Sequence, residues 1–359
     1  MNGRASDSAG GAGRQGGEAV VGLDVGGAHV KGARVVGGRL VEAFQIASPM
    51  WTGTDRLAAA LAEARARLGP ARRVAVTITA ELADAFASRR EGLAAVTAMI
   101  GTAFAGEPVV VYGGRAGFLP LDAAAAQVAD VASANWHATA SLVAARLPEA
   151  LLVDIGSTTA DLIPVAGGRP VGRGYGDAER LVAGELLYTG TTRTFVMAVA
   201  DRVPFAGQWQ PLMNEYFASM ADVRRLTGEL DPEVDQHATA DGRGKSREES
   251  RARLARMLGR DADAAPVEAF EAVARYLGER QLRALHDAAA QVLSAVPVGA
   301  VAPVVGAGIG GFLTRALAER LGRRWIAFAD VVPAIEAARP WVTRAAPAAA
   351  VALIASGLP

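Results

Sequence analysis

Two segments of this chain, VVGLDVGGAHVKGARVV and ALLVDIGSTTADLIPV, share one plan: an apolar run breaks at Asp-x-Gly and resumes as a second β-prone run. Their aspartates, Asp24 and Asp154, stand about 130 residues apart, the length of a domain. One such segment is an ordinary hairpin. Two of them in a chain of 359 residues, each followed by a third short strand after a Gly–Gly pair, point to a duplicated α/β architecture.

Strand patterns at 19–25, 30–36 and 40–46 precede a helical pattern at 54–68, a strand at 74–79 and a helix from 81 to about 100. A strand at 108–112 and a helix at 123–145 complete the first half. The second half repeats the opening with strands at 151–154, 159–165 and 170–175 and a helix at 178–199. It closes with a strand at 301–306, a helix at 309–321 and a strand at 325–328. Domains are therefore expected at 18–146 and 147–359, the second with a helical insertion at about 188–292. Alternating strands and helices imply open sheets covered on their faces, with the two turns facing a central cleft, the default ligand site.

Composition narrows the function. Lys plus Arg and Asp plus Glu both number 37, so the positive excess of a duplex nucleic-acid binder is missing. No apolar run reaches membrane-spanning length, including the Ala-rich stretch after Pro347. The absence of cysteine removes disulfide, thiol and thiolate–metal chemistry. Residues 1–17 are polar and Gly/Ser-rich, lack the apolar core of a signal peptide, and read as a disordered tail. The expectation is a cytoplasmic protein acting on small molecules, with no nucleic-acid or membrane partner.

In the first turn, Gly26 and Gly27 are expected to permit positive φ and to clear the way for a phosphate, with backbone N–H groups forming an anion-binding concavity. Asp24 at the strand end suits Mg²⁺, and alternation puts His29 and Lys31 on one face of the next strand. The second turn offers Gly156 with the hydroxyls of Ser157 and Thr158, and the carboxylates Asp154 and Asp161. A glycine loop with Gly306, Gly308, Gly310 and Gly311 runs from a strand into a helix, which suits an anion or nucleotide but equally serves tight strand–helix packing.

Taken in this order, the three elements resemble the actin-like ATPase superfamily of sugar kinases, heat-shock chaperones and hydantoinase/oxoprolinase proteins. The resemblance implies two RNase-H-like domains facing a central cleft, with Asp24 and Asp154 in phosphate loops and residues 306–311 in an adenosine loop. TITAELADAFASRREGL, VASANWHATASLVA and TADGRGKSREESRARLARMLGRD are not required by the superfamily. They look like the hydantoinase/oxoprolinase-related proteins of tetrahydromethanopterin-linked C1 metabolism. That group includes enzymes joining an aminomethylfuranyl-methyl diphosphate to the phenol of γ-glutamyltyramine in methanofuran or methylofuran biosynthesis.

The resemblance implies a Mg²⁺-dependent transferase that forms an aryl ether and releases diphosphate. Gly26, Gly27, His29, Gly156, Ser157 and Thr158 would meet the diphosphate, Asp24, Asp154 and Asp161 the metal, and Lys31 would add charge. Glu81 and His137 are the candidate bases for the phenolic proton. Each has a plain alternative: Glu81 at a helix start is favoured by the helix dipole, and His137 lies in an Ala-rich helix where a core histidine fits. Asn135 and Trp136 are candidates to line an aromatic pocket. Asp241 and Lys245 fall in a polar loop that reads as a lid, and Arg247, Arg251 and Arg253 as solvated helix charges. The alternative function is an ATP-dependent kinase or hydrolase. ATP is not the favoured cofactor, because a diphosphate ester already carries the driving force.

Overall fold

The computed structural model of the chain describes residues 19–358, so the tail expected at 1–17 lies outside the described residues. The chain divides into two compact units. The first runs to Thr139 and takes up the chain again from Pro333; the second is Ala140–Val332.

The first unit's sheet has the order β3-β2-β1-β4-β5-β6. Its strands are β1 (Val20–Gly26), β2 (His29–Val36), β3 (Arg39–Ala47), β4 (Arg73–Thr79), β5 (Val109–Tyr112) and β6 (Phe118–Pro120). β1, β2 and β3 form an antiparallel meander, while β4 and β5 lie parallel to β1. Such parallel strands need crossovers, supplied by helices α1 (Asp55–Leu68) and α2 (Arg89–Ala103). Leu57, Leu61, Ala64 and Leu68 recur along one face of α1 and are buried in the core with Leu23, Val76 and Ile100.

Helix α2 begins eight residues later than the sequence pattern suggests. Ser88 accepts a hydrogen bond from the Glu91 backbone N–H at 3.2 Å, which sets the helix start at Arg89. Glu81 therefore sits in a turn and not at a helix N-terminus. The single helix expected at 123–145 is broken into Leu121–Ala124, Val128–Val131 and α3 (Asn135–Ala144). Between the last two, Ser133 takes a left-handed φ of 54° and its N–H bonds the Ile78 carbonyl at the end of β4.

The C-terminal residues from Pro333 belong to the first unit, which corrects the expected 147–359 domain. The helix Ala346–Ser356 packs on β1, β2 and β4. Its fit depends on Gly22 of β1, where any Cβ would overlap the Ala348 carbonyl oxygen and crowd Ala352. Small residues on both sides bring helix and strand together.

The second unit repeats the plan with β7 (Glu149–Ile155), β8 (Ala160–Ala166), β9 (Arg169–Pro170), β10 (Leu186–Leu187), β13 (Val304–Ala307) and β14 (Trp325–Ala327). The sheet order is β10-β8-β7-β13-β14, antiparallel across β10, β8 and β7 and parallel across β7, β13 and β14. Both units thus carry the RNase-H-like pattern. The strand expected at 170–175 shrinks to two residues, and the helix expected at 178–199 is only α4 (Asp177–Ala183).

The insertion has a core of its own, built from α5 (Met220–Thr227), α6 (Arg247–Met257), α7 (Val267–Ala295) and a hairpin, β11 (Arg202–Phe205) and β12 (Gln208–Pro211). α8 (Gly311–Arg320) follows β13 and covers the second sheet.

Candidate functional site

Ligands of open α/β sheets collect at the carboxyl ends of parallel strands, where strand order reverses. In the first unit those ends carry the Asp24 turn, Glu81 and Tyr112. Asp24 lies directly opposite Lys31 in the β1–β2 register, and Lys31 Nζ donates to Asp24 Oδ2 at 3.1 Å. Asp24 is buried, and its Oδ1 has no hydrogen-bond partner. The Thr77 hydroxyl, on the residue paired with Asp24 across β4, is likewise buried and unpartnered. The turn is held from outside. Ser48 Oγ donates to the Gly26 carbonyl at 2.8 Å, Ser48 N–H to Ala28 at 2.8 Å and Met50 N–H to Gly27 at 3.0 Å.

Gly26 and Gly27 do not adopt positive φ, so the conformational reason expected for them is wrong, and Gly156 does not adopt it either. Gly26 is instead required by close approach, since a Cβ would lie 2.9 Å from the His29 carbonyl oxygen. At Gly27 a Cβ would make only ordinary contacts with Ala83 and Met50. His29 is buried and Lys31 half-buried.

Glu81 is 1% exposed, accepts from Ser133 Oγ at 3.0 Å and pairs with Arg89 at 3.6 Å. The left-handed Ser133 is what brings that hydroxyl to Glu81, a strained residue of the kind found at functional sites. His137 shares a 2.9 Å hydrogen bond with the Tyr112 hydroxyl and stands edge-on to Trp136. Burial first, and then the charge of Arg115, pull its pKa down to about 4, so it is neutral at pH 7 and a weak base. Tyr112 was not singled out from the sequence; it ends a strand that reads as plain core.

In the second unit, Asp154 lies opposite Asp161 in the β7–β8 register, and both are buried. Arg180, 1% exposed on α4, donates to Asp161 Oδ1 at 2.6 Å and to the Glu185 carbonyl at 3.1 Å. Asp161 is therefore engaged by an arginine. Among the described residues no group of three or more His, Asp or Glu side chains is arranged to hold a metal ion. Mg²⁺ commonly takes only one or two carboxylates and keeps its waters, and the unpartnered Asp24 Oδ1 fits that demand.

The second turn is also held from outside. Thr191 N–H donates to the Gly156 carbonyl and Arg193 N–H to the Ser157 carbonyl, each at 2.9 Å. Arg193 Nη1 donates to Thr158 Oγ1 at 2.9 Å, and the Ser157 and Thr158 hydroxyls are 3.5 Å apart. Arg193, in TGTTRTF, lies in a segment whose sequence pattern predicts helix and whose backbone bends instead.

The glycine loop is tightly packed. A Cβ on Gly306 would overlap Thr314 and Trp325, and one on Gly308, whose φ is +80°, would overlap the Ile155 carbonyl and Asp154. A Cβ on Gly310 would come to 2.7 Å from Thr191 Oγ1, and only Gly311 faces open space. Close packing thus accounts for three of the four glycines.

The polar loop of the insertion is anchored. Arg253, expected in solvent, is fully buried and bonds Asp222 at 2.8 Å and Asp241 at 3.0 Å. Arg256 also holds Asp241, at 3.1 Å, and Lys245 Nζ pairs with the Asp235 carboxylate at 3.4 Å. Arg247 is exposed, as expected, and bonds Glu271. No helix among the described residues is long and apolar enough to cross a membrane.

The hydantoinase/oxoprolinase family model matches residues 72–337. The chain is 34% identical over 243 residues, 67% of its own length and 72% of the relative's, to the (4-{4-[2-(gamma-L-glutamylamino)ethyl]phenoxymethyl}furan-2-yl)methanamine synthase of Methanocaldococcus jannaschii. It is 33% identical over 112 residues to the synthase of the same name from Methanococcus vannielii, covering 31% of this chain and 50% of that one. Among solved structures, nucleotide-free acetone carboxylase has a similar fold, with a TM-score of 0.54 at 11% identity, over 85% of this chain and 67% of that one. The two named relatives are synthases, so the chain is a relative of enzymes. With a family model spanning most of its length, it belongs to the hydantoinase/oxoprolinase family.

Proposed function

We propose that this protein is a transferase of methanofuran or methylofuran biosynthesis, serving tetrahydromethanopterin-linked one-carbon transfer. It would condense an aminomethylfuranyl-methyl diphosphate with the phenol of a γ-glutamyl tyramine- or tyrosine-type acceptor. The observation that supports this most is the 34% identity over two thirds of the chain to a synthase whose product name contains that phenoxymethyl–furan ether.

The bond between the furanyl methylene and the diphosphate oxygen breaks, and the electron pair leaves with diphosphate. The phenolic oxygen forms the new bond to that carbon and gives up its proton. The developing charge on the leaving group calls for fixed donors and cations. In the first unit Lys31, held against Asp24, and the Gly26–Gly27 turn beside His29 are assigned that work. In the second unit the corresponding turn of Gly156, Ser157 and Thr158 offers donors of the same kind. Mg²⁺ bound through Asp24 would neutralise diphosphate charge. The phenol, with a pKa near 10, needs a proton acceptor, and Glu81 is assigned that role over His137. His137, pulled down to about 4 and bonded to Tyr112, is a poor base and better suited to orienting a ring. Nothing in the glycine loop favours the ATP-dependent reading, because packing already explains Gly306, Gly308 and Gly310.

Purified protein given the furanyl diphosphate, γ-glutamyltyramine and Mg²⁺ should release diphosphate and yield the ether, followed by mass spectrometry. Absence of both products under metal-replete conditions would sink the proposal.

A further inference from the structure

We infer that Arg193 and the Phe195–Tyr216 ring pair form a substrate subsite on the second unit, in which Arg193 takes an anionic group and the rings hold the planar ring attached to it. The identity of that substrate rests on the transferase reading; the subsite itself rests on geometry.

Arg193 is fixed at both ends. Its N–H holds the Ser157 carbonyl at 2.9 Å and its guanidinium bonds Thr158 Oγ1 at 2.9 Å. Met220 N–H donates to the Thr194 carbonyl and Val196 N–H to Ala218, so residues 194–196 run as a strand-like segment. Phe195 follows two residues after Arg193, and its backbone pairs with Ser219. Phe195 is 45% exposed and Tyr216 43%, with ring centroids 4.5 Å apart. The charge of Arg193 acts on both Tyr216 and His237, against the carboxylates of Asp222 at Tyr216 and Asp235 at His237. His237 is pulled down to about 4, by burial first and then by Arg193, so at neutral pH it adds no charge to compete with the arginine.

An anchored arginine next to two hydroxyls, bordered by a pair of exposed rings, is built for an aromatic compound carrying a carboxylate or phosphate. Of the two substrates of the proposed reaction, the furanyl diphosphate carries its anion one methylene from the ring, whereas the γ-glutamyl phenol carries its carboxylate at the far end of a flexible chain.

The test measures KM for each substrate separately in Arg193→Gln, Arg193→Lys and Phe195→Ala. Loss of one charge-assisted contact should raise KM for one substrate about 10- to 100-fold, with kcat changed far less. Arg193→Lys should recover part of the loss, and Phe195→Ala should raise the same KM. The substrate that responds identifies the occupant. Unchanged KM for both substrates overturns the subsite, as does an equal rise for both with a lowered melting temperature. Calorimetric titration with inorganic diphosphate and with γ-glutamyltyramine separates this from failure of the transferase reading. Binding that depends on Arg193 in a protein that makes no ether keeps the subsite and rejects the reaction.

Discussion

The two Asp-x-Gly turns share a backbone plan and differ in charge. In each, N–H groups from a later segment hold the turn's carbonyls: Ser48 and Met50 in the first unit, Thr191 and Arg193 in the second. The residue opposite the aspartate is Lys31 in the first and Asp161 in the second. The first turn balances its charge within the hairpin. The second sets two buried carboxylates side by side and takes its cations from outside, Arg180 on α4 and Arg193 on the tethering segment. A duplicated backbone leaves the electrostatics of each turn to single residues.

The largest expected effect comes from Arg180→Ala. Removing the arginine of a buried ion pair weakens the compensation of Asp161 beside Asp154, at a cost of about 3–5 kcal/mol. Lys31→Ala should cost less, about 1.5–3 kcal/mol, because that side chain is 15% exposed and water reaches it. Denaturation midpoints measure both, and equal losses would break the comparison.

Next is Gly308→Ala, which combines a left-handed φ with overlap of the Ile155 carbonyl and should cost about 2–4 kcal/mol. A variant of wild-type stability that fails to bind ATP would return the loop to a nucleotide role.

Each unit also carries a depressed histidine, His137 in the first and His237 in the second, both near 4. Because the folded values lie below 6.5, the unfolded chain takes up these protons first as pH falls. Their stabilisation is whole above about 6.5 and is lost progressively down to about 4, at about 1–2 kcal/mol each after solvent screening. Urea midpoints at pH 7.5 and 5 should converge in His137→Gln and His237→Gln relative to the parent. Parallel shifts in all three proteins would contradict the assignment. The smallest effect belongs to Gly27→Ala, within about 0.5 kcal/mol, since no close neighbour meets its Cβ.

The strand–turn–strand segments and α1 were legible because their signals are local: apolar runs, glycine pairs and a 3.6-residue period. The start of α2 was also written in the chain, as the Ser-x-x-Glu of Ser88 and Glu91, although apolar spacing drew the helix too early. The β11–β12 hairpin was missed because Ala206, where Asn or Asp usually sits, takes the positive φ of its two-residue turn together with Gly207. Long-range pairing hid the rest. Arg253 reads as a surface charge until Asp222 meets it, and the C-terminal helix reads as part of the second domain until Gly22 accepts it. Among the candidate site residues, the aspartates and glycines stand out in the sequence, whereas Tyr112 and Arg193 gain meaning only from what the fold sets beside them.

The central claim is that the furanyl carbon, not a phosphorus atom, is attacked. Placing ¹⁸O in the oxygen that bridges the furanyl methylene and the diphosphate tests this most directly. Carbon–oxygen cleavage predicts that the label leaves wholly in diphosphate, while the ether keeps the acceptor's own phenolic oxygen. Label retained in a furanyl alcohol, or phosphate transferred to the phenol, would contradict the account.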